Sequence, residues 1–134
     1  MTLHALDHVN IRTANLAAMT EWYQEILGLR LGPRPDFAFP GSWLYLGDTA
    51  IVHLVGVENG PRGEDLRLEH FAISASGLAE FVAHLDARGV AHTVDPVPGA
   101  PVVQVNLADC DGNHIHVDFP ASELVELDAG TRAV

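Results

Sequence analysis

One histidine-bearing pattern occurs twice in this chain, and that duplication limits how it can fold. Leu6-Asp7-His8-Val9-Asn10-Ile11 is echoed by Leu68-Glu69-His70-Phe71-Ala72-Ile73, and Ile51-Val52-His53-Leu54 by His114-Ile115-His116-Val117. At 134 residues the chain is long enough for one domain with a core and too short for two ordinary ones. The expectation is therefore a single domain, residues 1–134, made of two half-sized modules. Repetition puts equivalent residues at equivalent places about a pseudo-twofold axis, so histidines far apart in sequence can converge on one point. That convergence is the geometry of a metal site.

Within the first module, about residues 3–57, alternation predicts a strand over Leu6 to Arg12, with Val9 and Ile11 on one face and His8 and Asn10 on the other. Asn15 reads as a helix N-cap, Leu16, Met19, Tyr23, Ile26 and Leu27 recur at helical spacing, and Gly28 ends the run. Pro33, Pro35 and Pro40 make Gly32 to Gly41 a loop. Strands follow at Ser42 to Leu46 and Ala50 to Val55, joined by a turn at Gly47-Asp48. A polar linker, about 58–65, leads to the second module, about 66–120. There the order repeats: a strand over Arg67 to Ser74, a helix over Leu78 to Arg88 stopped by Gly89, and a loop holding Pro96, Pro98 and Pro101. Strands at Val102 to Leu107 and Asn113 to Phe119 then flank the turn Asp109-Cys110-Asp111-Gly112. The tail, 121–134, reads as a short helix or disordered chain.

Composition excludes several functions. With 7 Lys plus Arg against 18 Asp plus Glu, the formal charge is -11, which repels phosphate backbones and argues against a nucleic-acid partner. No apolar run approaches the roughly 20 residues that cross a bilayer, so no membrane role is expected. The start Met1-Thr2-Leu3-His4 lacks the basic flank and apolar stretch of a secretory signal, and the single Cys110 cannot form an internal disulfide. The expected location is the reducing cytoplasm. Neither a phosphate-binding glycine loop nor a dinucleotide fingerprint occurs, and Cys110 has no activating neighbour in its turn.

Asp7-His8-Val9, Asn15-Leu16 leading to Trp22-Tyr23 and Leu27-Gly28, Glu69-His70-Phe71-Ala72, and Asp109-Cys110-Asp111-Gly112-Asn113 together resemble the vicinal oxygen chelate superfamily. That superfamily includes glyoxalase I, extradiol dioxygenases and bleomycin-resistance proteins, and the resemblance runs over about residues 3 to 120. It implies an α+β fold of two βαβββ modules, each curling a small mixed sheet, with a cleft between the sheets and helices outside. Carried over residue by residue, the metal-ligand positions are His8, His53, His70 and His116. The last of these commonly holds Glu, and here holds His. The resemblance also implies a homodimer, for which the aromatic loop around Phe37 and Phe39 offers a contact.

Four imidazoles suit Zn, Ni, Fe, Co or Cu better than Mg or Ca, which prefer oxygen ligands. A six-coordinate ion held by four side chains keeps two positions open for a chelating substrate. On the same strand faces, Asn10, Arg12, Tyr45, Ser74, Asn106 and His114 are candidates to bind that substrate, and Asp118 to orient a ligand. Trp43, Phe37 and Phe39 offer an apolar wall, or simple packing. The leading expectation is a metal-dependent lyase, isomerase or dioxygenase of the glyoxalase type acting on a small oxygen-rich molecule, with no residue assigned the catalytic role. The alternative is a protein that sequesters a drug or metabolite without chemistry, its histidines a polar patch lining a cleft.

Overall fold

The computed structural model describes residues 1–132, with side chains described through Asp128. The chain divides into two compact units, Met1–Glu64 and Asp65–Val134, and each holds one copy of the repeat. In the first, β1 (Val9–Thr13) leads to α1 (Leu16–Glu25), then β2 (Arg30–Gly32), β3 (Gly41–Leu46) and β4 (Thr49–Gly56). In the second, β5 (His70–Ser74), α2 (Leu78–Ala87), β6 (His92–Pro96), β7 (Val102–Ala108) and β8 (His114–Pro120) repeat that order. A 3₁₀ turn, Ala121–Glu123, and α3 (Leu124–Arg132) follow, so the described part of the tail is helical. Both units are βαβββ modules.

The two mixed sheets share one topology. The strand order is β1-β4-β3-β2 in one and β5-β8-β7-β6 in the other, with the first and last strands of each module paired in parallel. Parallel neighbours cannot be joined by a tight hairpin, so the helix and two further strands fill the connection. Alternation then sorts the side chains. Leu44, Val52 and Leu54 of the first sheet are buried with Met19 and Tyr23 of α1, while Val103, Val105, Ile115, Val117 and Phe119 of the second share a core with Leu78 and Leu85 of α2.

Two strands lie where the residue pattern predicts none, each overlapping a predicted loop only at its last residue, Gly32 and Pro96. Arg30–Gly32 is too short to show alternation and takes its register from Trp43 to Tyr45 of β3. Its Gly32 is required: a Cβ there would lie 2.7 Å from the Tyr45 ring. His92–Pro96 forms β6 although it ends in proline, because it is an edge strand and an edge strand tolerates a missing amide donor. The opening strands are also shorter than the alternation predicts. Leu6 and Leu68, at equivalent places before β1 and β5, remain 80% and 73% exposed and contribute nothing to either core.

The helix ends also show which side chains fix the second module. Asn15 occupies the N-cap position of α1 without a capping bond from its side chain. At the start of α2, Gly77 adopts φ +90, and Glu123, from the turn after β8, accepts from the amides of Gly77 at 2.8 Å and Leu78 at 3.0 Å. A carboxylate 45 residues away thus takes over the role of a local cap. At the other end, Gly89 at φ +65 allows the Val90 amide to donate to the Leu85 carbonyl at 3.0 Å. Glu123→Ala removes both N-terminal bonds, and urea unfolding should show a loss of about 1 kcal/mol.

Candidate metal centre

In the first module the histidines are carried on adjacent strands. His8 immediately precedes β1, and β1 pairs with β4 so that Asn10 lies opposite His53. Cross-strand partners share a face, which places His8, Asn10 and Arg12 on the side away from the Val52 and Leu54 core, together with His53. The His8 and His53 rings stack at 3.9 Å with planes 10° apart, and Trp43, opposite His53 on β3, also stacks on it at 4.0 Å. His8 donates from Nδ1 to Asp7 Oδ2 at 2.6 Å. Burial pushes the pKa of His53 down and the nearby charge of His8 adds to this, while a backbone hydrogen bond at Ala50 and the charge of Asp7 work the other way.

Polar bonds replace aromatic ones in the second module. His70 lies opposite His114, Ala72 opposite His116 and Ser74 opposite Asp118 on the parallel pair β5 and β8, with Asn106 of β7 opposite His116. Glu69 accepts from His70 Nδ1 through one oxygen and from His114 Nδ1, at 2.7 Å, through the other. The second ring nitrogen of His114 faces Asn106 Oδ1 at 2.8 Å, and the Asn106 amide donates to Asp95 Oδ2 at 3.0 Å, which Thr93 also reaches. A polar chain therefore crosses all four strands from His70 to Thr93. His116, only 6% exposed, donates from Nδ1 to Asp118 Oδ1 at 2.6 Å.

These bonds govern which nitrogens can hold a metal. His8, His70 and His116 each give Nδ1–H to a carboxylate, which leaves the Nε2 lone pair available, the arrangement common among metal-ligating histidines. Imidazole lone pairs lie in the ring plane, so planes that cross can share an ion. The His70 and His116 rings are 4.4 Å apart with planes inclined by 43° and fit this requirement. His8 and His53, nearly parallel, do not: one ring must turn before both can address one ion. Glu69, His70 and His114 also offer donor atoms within 4.8 Å of one another, and the two ring nitrogens of His114 already face Glu69 and Asn106.

Of the other residues predicted from sequence, Asn106 and His114 are joined to this cluster, Ser74 lies on its face, and Arg12 lies on the face of His53. Tyr45 is engaged elsewhere: its hydroxyl donates to the Pro33 carbonyl and the Arg30 guanidinium lies 5.0 Å over its ring. Phe37 and Phe39 stack on each other at 5.0 Å with Arg34 beside both rings, about half of each ring remaining exposed. Asp7 and Glu69 were missed as orienting groups. Their signal is present in the repeat, where an acid directly precedes the first histidine of each module.

The family model described as Glyoxalase/Bleomycin resistance protein/Dioxygenase superfamily matches residues 5–117. The chain belongs to this superfamily. Among curated proteins, a relative from Geobacillus genomosp. 3 named "Manganese-dependent 2,3-dihydroxybiphenyl 1,2-dioxygenase" is 30% identical over 84 residues, covering 60% of this chain and 26% of that protein. The chain thus spans about a quarter of that relative's length. Solved structures share the fold. A glyoxylase/bleomycin resistance protein/dioxygenase domain from Frankia sp. EAN1pec has a TM-score of 0.74 at 19% identity, over 89% of this chain and 99% of that one. Lactoylglutathione lyase from Agrobacterium tumefaciens has a TM-score of 0.68 at 16% identity, over 89% and 96%. No described helix is long and apolar enough to cross a membrane.

In this superfamily member the lowered pKa of His53 ties stability to pH. An unfolded chain binds that proton more readily than the folded one, so the stabilising contribution is complete above about pH 6.5 and is lost as pH falls through the lower folded value. His53→Gln should flatten the dependence of thermal stability on pH in this window, as followed by circular dichroism in metal-free buffer. An unchanged slope would contradict the assignment.

Proposed function

We propose that this chain is a metal-dependent enzyme of the glyoxalase and dioxygenase type, acting on a small oxygen-rich substrate that chelates a divalent transition metal held by His8, His53, His70 and His116. The observation that carries the reading is the repeated use of carboxylates. Asp7, Glu69 and Asp118 each take the Nδ1 proton of a different proposed ligand and so direct Nε2 outward. When bound, the metal would act as a Lewis acid on the substrate oxygens. Asn10, Arg12, Ser74, Asn106 and His114 are the proposed substrate-orienting residues, and Tyr45 would join them only by leaving Pro33. Four neutral ligands leave the ion its full charge, which favours anionic oxygens.

The stacked His8 and His53 rings favour a second reading, in which the protein sequesters a drug or metabolite without chemistry. Metal content separates the two. His8→Ala, His53→Ala, His70→Ala and His116→Ala should each lower metal occupancy by about 10-fold or more, as measured by elemental analysis after growth with added metals. His84→Ala, whose ring nitrogen lies 3.0 Å from Arg88, should leave it unchanged. Unaltered metal content in both His8→Ala and His70→Ala would favour sequestration.

A cytoplasmic location suits the exposed Cys110 thiol, which a reducing compartment keeps unpaired. Assembly as a homodimer suits the half-exposed rings of Phe37 and Phe39, held in place by Arg34. Light scattering at micromolar concentration should give about twice the chain mass, and Phe37→Asp with Phe39→Asp should reduce it to one chain mass.

A further inference from the structure

The two halves of the proposed metal centre are not equally prepared for an ion. In the second module the His70 and His116 planes cross at 43°, and both rings have Nδ1 fixed by a carboxylate. Glu69, the carboxylate on His70, is mostly exposed, and a single bond at such a position would hold a ring weakly. It is held at both oxygens, however. His114 bonds its second oxygen, Asn106 bonds the far side of His114, and Asp95 fixes the Asn106 amide. The orientation of His70 is thus set by side chains on β6, β7 and β8.

The first module has no equivalent. Counting along the repeat, Ile51 stands where the second module has His114, and Trp43 stands opposite His53 where Asn106 stands opposite His116. Among the described residues Asp7 bonds to His8 alone, the carboxylate is 78% exposed, and the His8 and His53 rings lie flat against each other. Ligation by both requires a stacked ring to leave its neighbour.

We infer that the second module is the loading half of the centre, a preset site in which His70 and His116 take a divalent ion independently of His8 and His53, with Glu69 and His114 as its positioning residues. This rests on the reading of these histidines as ligands. Ligation by His8 or His53 requires one ring to leave their stack, and their contribution is smaller because that turn costs ring contacts.

The full-length chain, freed of metal by chelator, can be titrated with Co²⁺ while the visible absorption of the bound ion is followed. The double variant His8→Ala/His53→Ala should still bind one ion saturably, with affinity reduced about 100-fold, whereas His70→Ala/His116→Ala should show no saturable binding. Glu69→Gln and His114→Phe should each weaken binding by about 10-fold and shift the spectrum, Asp7→Asn by less. Circular dichroism checks that each variant is folded. If a double variant fails to fold, the ranking of Glu69→Gln against Asp7→Asn decides the matter. Equal loss in both double variants, or equal effects of Asp7→Asn and Glu69→Gln, would overturn the inference while leaving the four-histidine reading intact. Full Co²⁺ binding by both doubles would remove that reading and the inference together.

Discussion

Within each module the parallel pairing of the first and last strands sets the arrangement on which the candidate site depends. β1 lies beside β4 and β5 beside β8, although a helix and two strands intervene in sequence. A parallel pair needs a long crossover, and the crossover supplies the helix that covers one face of the sheet. With that face closed by Met19 and Tyr23 in one module and Leu78 and Leu85 in the other, the strand period of two leaves the histidines on the opposite face. A register slip of one residue would put His53 or His116 into the core and Val52 or Ile115 outside it.

The same topology carries different chemistry in its two copies. The first module surrounds His53 with rings, and the resulting desolvation favours its neutral form. The second surrounds His70 and His116 with carboxylates and an amide, and hydrogen bonds from His70 and then His114 hold Glu69 below the usual carboxylate range. Aromatic stacking is compatible with several ring rotations, whereas a chain of directed hydrogen bonds specifies one. Divergence at two register positions, Ile51 against His114 and Trp43 against Asn106, is enough to produce this difference.

Much of this was legible in the residues. The long amphipathic runs after Asn15 and Gly77, the β-branched runs around Val52, Val103 and Ile115, and the turns at Gly47 and Gly112 all announce themselves by period or by glycine. The βαβββ order of both modules follows from the superfamily resemblance and agrees with the structure. The three-residue β2 and the proline-ended β6 were hidden, because neither is long enough or regular enough to show a period and both depend on a partner strand for register. The cap of α2 was hidden for a related reason: its carboxylate, Glu123, arrives from beyond the last strand.

The sequence by itself determined that a module is used twice, that each copy brings histidines to its first and last strands, and that those side chains lie on the face opposite the core. These properties follow from repetition and from the two-residue period of a strand, both local to the chain. Tertiary structure alone decided which nitrogen of each ring is free, that His114 is held between Glu69 and Asn106, and that His8 lies flat on His53. Ring orientation depends on contacts between residues tens of positions apart. Such contacts exist only once the strands are paired, so no local pattern records them.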